Sequence, residues 1–265
     1  MFRYLFCLLF SVYIHAQEND LYVTYDILFD NARKIEKKAF LYGNSDGSVY
    51  EDDLITNNKI DRIANEKKQA ELDKQNAGTN KYSSTFIPVI KYNNFLKLNR
   101  ATNTITFIEP LIKDRYIHIT DKVKQNWTLT NEKKTISGVE CMKATTTFRG
   151  MQWEVWYAPT IPYPYGPWKL HGLPGLIVQA NDVNKRYNYN AVKIEFKKND
   201  ILTKQLTDLV TEKIAENLSM QQFIALRDEK MNAPIAVERD AKVERRFNLR
   251  YGQELIFEWE EETNK

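Results

Sequence analysis

Beyond residue 16 the chain carries only three side chains of the thiol or imidazole kind: His118, Cys141 and His171. A closed structural zinc site needs four Cys/His ligands, and these three lie far apart in sequence, so no such site is expected; a hard-cation site built from carboxylates stays open without a motif to support it, and no metal ligand set and no cofactor are assigned. The phosphate cradle Gly-x4-Gly-Lys-Ser/Thr, the Gly-x-Ser-x-Gly elbow and His-Glu-x-x-His are absent from the sequence, which removes the minimum parts of those chemistries. Two enzymatic candidates remain. Cys141 could be a reactive thiol, and His171, beside a Gly-Leu-Pro-Gly turn, could be a base; His171 has no nucleophile or carboxylate at a recognisable spacing. His118 alternates with Ile117 and Ile119 and so points away from their face, as a surface or hydrogen-bonded strand histidine does.

The elements that would position these residues are strands. Ile136 to Phe148 and Met151 to Tyr157 flank Arg149-Gly150, which reads as a two-residue hairpin turn with Phe148 opposite Met151. Side chains then sort by parity. One face carries Met142, Ala144, Thr146, Phe148, Met151, Trp153, Val155 and Tyr157, a core face. The other carries Cys141, Lys143, Glu154 and Trp156, with Lys143 opposite Trp156 in cation–π geometry. That mixed face is either solvated or lines a cavity. In this register Met142 and Met151 point away from Cys141, so a joint soft-metal site would need a bulge.

Pro159 to Trp168 is rich in proline and aromatics. Its prolines fix φ and remove donors, excluding a central strand or a helix interior. Stiff aromatic loops either cover cores or make contact surfaces. As a contact surface, Tyr163, Tyr165, Trp168 and His171 would join Lys143, Glu154 and Trp156 in one binding face. In Leu173-Pro174-Gly175-Leu176 the Pro and Gly occupy the middle of an expected type II turn, a structural motif that launches the apolar strand Leu176 to Ala180.

Elsewhere the pattern is similar. Strand-like runs at Leu21 to Phe29, Ala39 to Tyr42, Ser48 to Tyr50, Tyr82 to Tyr92, Asn94 to Leu98, Thr104 to Ile108, Tyr116 to Thr120 and Trp127 to Thr130 are separated by short turns. Such spacing predicts antiparallel sheet and not βαβ units. Thr56 to Asn80 is polar, an insertion that is either a mobile loop or a solvated helix. A helical segment is expected over residues 205–232, with Ser219 as N-cap, Gln222 three residues on and Pro234 beyond its end. A last strand is expected from Arg250 to Trp259. The fold class is therefore mainly β: a single domain on a large, curved antiparallel sheet, half-barrel or sandwich-like, with a polar insertion and a C-terminal helical segment.

Residues 1–16 hold one early cation, an apolar run of about eleven residues and a small residue before Gln17, the layout of a secretory signal. Residues 17–265 would form the exported domain, without a transmembrane segment. The net charge of +3 in 265 residues is too weak to advertise a nucleic-acid partner.

Gly172-Leu173-Pro174-Gly175-Leu176-Ile177 is the hexapeptide after which the GLPGLI family of exported bacterial proteins is named. Around it stand Gly138-Val-Glu-Cys141-Met-Lys-Ala144, Phe148-Arg-Gly150, Trp156-Tyr157, Ile161-Pro162 and Gly166-Pro-Trp168-Lys169. Over Ile136 to Asp182 the chain closely resembles that family. The resemblance implies a β-rich protein in the periplasm or on the surface of a Gram-negative bacterium, near TonB-dependent outer-membrane transporters, and supplies no catalytic residues. Two functions follow as expectations: a binding or accessory module contacting an amphipathic small molecule, a peptide or an envelope protein such as an outer-membrane transporter, and, as the alternative, an envelope hydrolase or thiol redox enzyme using His171 or Cys141.

Overall fold

The computed structural model describes residues 20–31, 34–77, 93–112, 115–197, 214–232, 250 and 252–262. The expected signal over Met1 to Ala16 and the apolar run from Tyr82 to Tyr92 lie outside them. In chain order the elements are β1 (Asp20–Asp30), β2 (Lys34–Gly43), β3 (Gly47–Asp52), α1 (Leu54–Gln75), β4 (Asn94–Asn99), β5 (Thr104–Ile112) and β6 (Arg115–Lys122). Then come β7 (Thr128–Ile136), β8 (Val139–Phe148), β9 (Met151–Ala158), β10 (Leu176–Asp182), β11 (Tyr187–Lys197), β12 (Ile214–Ser219), α2 (Met220–Asn232) and α3 (Glu258–Glu262).

The strands make one 12-stranded sheet in the order β12-β6-β5-β4-β3-β2-β1-β11-β10-β9-β8-β7. It consists of two meanders, β1 to β6 and β7 to β11, joined where β1 pairs with β11. The end strands β7 and β12 do not pair with each other, so the sheet is curved but open. Register shifts at Thr24/Tyr25, Pro110/Ile112, Leu129/Lys133 and Ile177/Gln179 supply the bulges that bend it.

Turn chemistry sets the registers. At the β2–β3 turn, Asn44 Oδ1 accepts from the backbone N–H of Asp46 at 2.9 Å and of Gly47 at 3.2 Å. At the β8–β9 turn, Arg149 (φ 49°) and Gly150 (φ 78°) both sit in the left-handed region, and the expected pairing of Phe148 with Met151, Lys143 with Trp156 and Met142 with Tyr157 is present.

Three expectations are corrected here. Residues 214–219, expected to be helical, form β12, which runs parallel to β6 in an otherwise antiparallel sheet. The helix begins where the Ser219/Gln222 capping box stands: Ser219 N–H donates to Gln222 Oε1 at 2.9 Å and Gln222 N–H to Ser219 Oγ at 3.2 Å. The residues before the box are drawn out to satisfy the open ladder of β6. The segment expected as a last strand from Arg250 to Trp259 has no strand partner among the described residues. Its backbone turns over the β8–β9 hairpin, where the N–H of Leu255 donates to the Arg149 carbonyl at 2.9 Å, and it ends in α3. Third, Leu173 to Leu176 is not a type II turn. Gly175 N–H donates to Leu173 O at 2.8 Å and Leu176 N–H to Ile161 O at 3.0 Å, so the chain turns tightly around Pro174.

Of the two alternatives for the polar insertion, the helix holds as far as residue 75. It is α1, capped by Asp53, whose carboxylate accepts from Thr56 N–H at 3.1 Å, and only Asn58 of its residues is buried.

The core lies on the inner face of the sheet. Leu21, Val23, Tyr25 and Ile27 of β1, Leu41 of β2, Ile117 and Ile119 of β6 and Trp153, Val155 and Tyr157 of β9 are all buried there. They are covered by the connection between β9 and β10, by Met220 and Ile224 of α2, and by Phe257. Each fully buried side chain of this size contributes roughly 1.5–3 kcal/mol.

Candidate functional site

The residues expected to form one binding face are split by the sheet. Lys143, Glu154 and Trp156 lie on the outer face of the β8–β9 hairpin. Lys143 pairs with Glu154 at 3.0 Å and Glu132 at 3.2 Å, and the cation over the Trp156 ring is Lys134 of β7, at 5.5 Å from its centroid. The expected Lys143–Trp156 stack is thus replaced, because two carboxylates outbid the ring for that ammonium and the neighbouring edge strand supplies another. The Pro/aromatic loop lies on the opposite, inner side. Trp168 packs at 5.7 Å from Trp153 and 5.8 Å from Phe148, both core-face residues. Tyr163 and Tyr165 are buried, and the Tyr165 hydroxyl donates to the Asn44 carbonyl at 2.7 Å. The loop covers the core; of its candidate contact residues only Trp168 stays half-buried.

The two enzymatic candidates are enclosed. Cys141 is fully buried, its Sγ donates to the Val139 carbonyl at 3.5 Å, and burial pushes the thiol pKa up, against reactivity. His171 is buried, with Nδ1 at 2.8 Å from Lys169 O and Nε2 at 2.9 Å from Asn103 Oδ1. Burial lowers its pKa, opposed by the Lys169 carbonyl and Asp121. Its own carbonyl accepts from Trp127 Nε1 at 2.8 Å, so the residue acts as a spacer between loop and sheet. His118 is half-buried on the face opposite Ile117 and Ile119, as the alternation predicts.

Composition and spacing missed a buried ionic cluster beneath the loop. Arg149 binds Asp121 with both guanidinium ends, Nη1 at 2.8 Å and Nη2 at 2.7 Å. Lys169 Nζ donates to Asp121 at 2.8 Å and to Glu254 at 2.8 Å. Arg149 also meets Glu254, and its Nε reaches Glu258 at 3.1 Å. Side chains of Arg149, Asp121 and Lys169 are each at most 2% exposed. Burial works against the Asp121 charge, yet the hydrogen bonds and positive charges of Arg149 and Lys169 win and hold its pKa below the usual value. Phe148 and Phe257 flank the guanidinium at 5.1 and 4.9 Å, and Phe107 faces Lys169 Nζ at 4.7 Å. The signal available in sequence was Arg149-Gly150 and Trp168-Lys169, but nothing in the spacing ties them to Asp121 or Glu254.

Next to this cluster opens a cleft of about 200 Å³ over the inner face of β3 to β5, roofed by α2 and by Gln253 and Glu254. Its apolar wall includes Phe29, Phe107, Trp168, Tyr189, Met220 and Phe223, and its polar groups include Asp52, Glu109, Lys169, Arg227 and Gln253. Trp168 and Arg149 both adopt positive φ (55° and 49°), uncommon for bulky residues; the loop and the hairpin turn hold them there at the junction of cleft and cluster. Most polar groups are committed: Asp52 accepts from Tyr50 OH at 3.0 Å and pairs with Lys37 at 2.9 Å, and Gln253 Nε2 donates to Tyr189 OH at 2.5 Å.

Glu109 differs. It pairs across the ladder with buried Ile117 and shares the parity of Ile105 and Phe107, so it faces inward, and it makes no hydrogen bond or ion pair among the described residues. Burial raises its pKa, against the pull of Lys169 and Arg227 and with the push of Glu254. A larger hollow of about 490 Å³ between α1 and the strands β1 and β2 is lined by groups already paired, such as Lys38 with Asp26 at 2.7 Å. The β3–β5 cleft is the place where the described residues bring an uncommitted polar group and aromatic walls together. No described helix is long and apolar enough to cross a membrane, and the described residues hold no cluster of His, Cys, Asp and Glu able to ligate a metal.

No curated protein matches the chain. Among solved structures, "Structure of PNGF-II in C2 space group" superposes with a TM-score of 0.53 at 18% identity, covering 78% of this chain and 32% of that one. "Structure of PNGF-II in P21 space group" gives 0.52 at 17% identity, covering 78% and 33%. These likenesses show a shared fold, and the chain spans about a third of the length of either solved chain. A family model described as "N-glycanase peptide, N-terminal domain" matches residues 47–222, from the first residue of β3 into the first turn of α2. Because that match spans well over half of the chain, the chain belongs to the family of N-glycanase peptide N-terminal domains.

Proposed function

We propose that this protein is an exported binding or accessory module of the bacterial envelope, a GLPGLI-type protein whose ligand sits in the cleft over β3 to β5. The observation that carries this reading is Glu109, an inward carboxyl that makes no hydrogen bond or ion pair among the described residues, in a cleft walled by Trp168, Phe107 and Phe223. A ligand pocket is a concave site in which convergent polar groups meet apolar walls, and this cleft brings Glu109, Lys169 and Arg227 against Phe107, Trp168 and Phe223. The enclosure of Cys141 and His171 favours binding over thiol or imidazole catalysis. Export rests on the signal-like layout of residues 1–16. The solved chains that share this fold are well over twice as long, and a supporting role beside a larger catalytic unit, or beside an outer-membrane transporter, suits a domain of this kind.

The test uses mature protein isolated from the envelope of an expressing Gram-negative host. Intact mass should place Gln17 at the N-terminus, and native mass spectrometry should detect a retained small molecule. Leu96→Trp, which fills the cleft from the β4 side, should abolish retention without loss of fold. A chain that still begins at Met1, or a ligand retained in full by the filled variant, would overturn the reading.

A further inference from the structure

Two carboxylates of the cleft already hold an ammonium against a ring. Lys37 Nζ lies 2.9 Å from the Asp52 carboxylate and 4.8 Å from the centre of the Phe29 ring. Lys169 Nζ donates to Glu254 at 2.8 Å and faces the Phe107 ring at 4.7 Å. Asp52, Glu254, Phe29 and Phe107 all line the cleft. A carboxylate supplies charge and acceptors, and a ring face supplies its quadrupole, so together they suit a cation held out of water.

The lining holds a further carboxylate and ring without a cation. Glu109 makes no hydrogen bond or ion pair among the described residues, and the half-buried ring of Phe223 has no ring or cation contact among them. Both border the same end of the cleft: Glu109 pairs with Ile117 of β6, and α2, which carries Phe223, packs on β6. The two cations that act on Glu109 are committed elsewhere, Lys169 to Asp121 and Glu254, and Arg227 to Asp228 at 3.3 Å. Among the charged groups of the lining, Asp52, Glu109 and Glu254 stand against Lys169 and Arg227, so the acid in excess is Glu109. That excess disfavours an anion, and a neutral ligand would leave the inward carboxylate uncompensated. A metal ion is disfavoured because no cluster of ligating side chains stands among the described residues.

Gln253 adds an acceptor, since its Nε2 donates to Tyr189 and its Oε1 makes no hydrogen bond among the described residues. A primary ammonium brings three donors. Resting on the reading of this cleft as the ligand site, we infer that it takes a primary alkylammonium group, its nitrogen on Glu109 and Gln253 Oε1 and against the ring of Phe223. The ligand thus repeats from outside what Lys37 and Lys169 do from within. A volume of about 200 Å³, the share of roughly seven liquid waters, holds one aminoalkyl chain, either a free amine or a lysine side chain.

The experiment is a titration of mature protein (residues 17–265) by ligand-observed NMR and calorimetry at low ionic strength. The probes are n-butylammonium, n-butanol as its neutral and butyrate as its anionic counterpart, tetramethylammonium as a cation without donors, and N-acetyl-lysine methylamide as a lysine within a polypeptide. Expected are millimolar binding of n-butylammonium and binding at least about 10-fold weaker for butanol, butyrate and tetramethylammonium. Glu109→Gln should lose about 10- to 100-fold and Phe223→Leu about 2- to 10-fold, with thermal melts checking that both fold. The comparison with butanol uses the unaltered protein and stands whether or not a variant folds. Binding of the lysine amide as tight as that of n-butylammonium assigns the site to a lysine side chain, and n-butylammonium alone assigns it to a free amine. Butanol or tetramethylammonium binding as tightly as n-butylammonium, n-butylammonium binding unchanged in both variants, or no binding of either amine would overturn the inference. The broader reading fails separately: a small molecule retained from the envelope and lost in Leu96→Trp keeps the cleft as a ligand site even when both amines fail.

Discussion

Asp121 joins two buried cations that are distant in sequence, Arg149 and Lys169. It sits between Arg149 and Lys169 with its side chain 1% exposed, and removing one partner from such a group leaves the others charged and buried. Asp121→Ala should therefore cost about 3–5 kcal/mol, measured by urea unfolding. The same residue sets an acid limb. Its folded pKa is lowered, so its contribution is full above the ordinary aspartate range and is lost as pH falls through the folded value. Circular dichroism between neutral pH and strong acid should show a steep loss of stability that flattens in Asp121→Asn.

Gly175 is the second residue-scale case. A Cβ there would stand 2.2 Å from the Ala158 carbonyl oxygen, so the position needs glycine because β9's end passes against it. Gly175→Val should cost on the order of 1–3 kcal/mol, read as a lowered melting temperature.

At the scale of elements, the β8–β9 hairpin shows how strictly parity divides a strand. Trp153 and Trp156 lie three residues apart on β9, one fully inside with its ring against Trp168 and Tyr189, the other half-buried outside under Lys134. Trp153→Ala should cost about 3–5 kcal/mol, whereas Trp156→Ala should cost about 1–2 kcal/mol; equal costs would mean that the outer face is covered. The Ser219/Gln222 box makes a comparable statement for α2. Ser219→Ala should lose about 1 kcal/mol, and since Met220 and Phe223 of the same helix line the cleft, ligand binding should weaken with it.

For the whole molecule, the open sheet is closed over by its own connections. A sandwich would bury the inner face against a second sheet, but here the Pro159 to Gly175 connection, α2 and the C-terminal segment do so. The C-terminal segment is held by Glu254 and Glu258 on Arg149 and by Phe257 beneath them. Deleting residues 250–265 should strip two carboxylates from a buried cluster that keeps both cations, giving a large fall in urea midpoint and exposure of apolar surface to a fluorescent dye.

Strand alternation, the Arg149-Gly150 turn and the Ser219/Gln222 box were legible in the sequence because each depends on neighbours in the chain: pleat geometry, local φ and side chains three residues apart. From these followed the mainly β class, the hairpin register, the core face and the start of α2. The parallel strand β12, the irregular C-terminal segment and the inward position of the Pro/aromatic loop were not, since each is fixed by partners far away in sequence: β6, Arg149 and the inner face of β9. Parity says that Lys143 and Trp153 face opposite ways; it cannot say on which side the next connection returns. The ion cluster is the clearest instance, for Asp121, Arg149, Lys169 and Glu254 have no spacing in common and meet only because two meanders join at β1 and β11 and curl toward each other. Local physics fixed the elements of this protein; burial of charge and aromatic surface between distant elements decided which of its residues lie in the cleft.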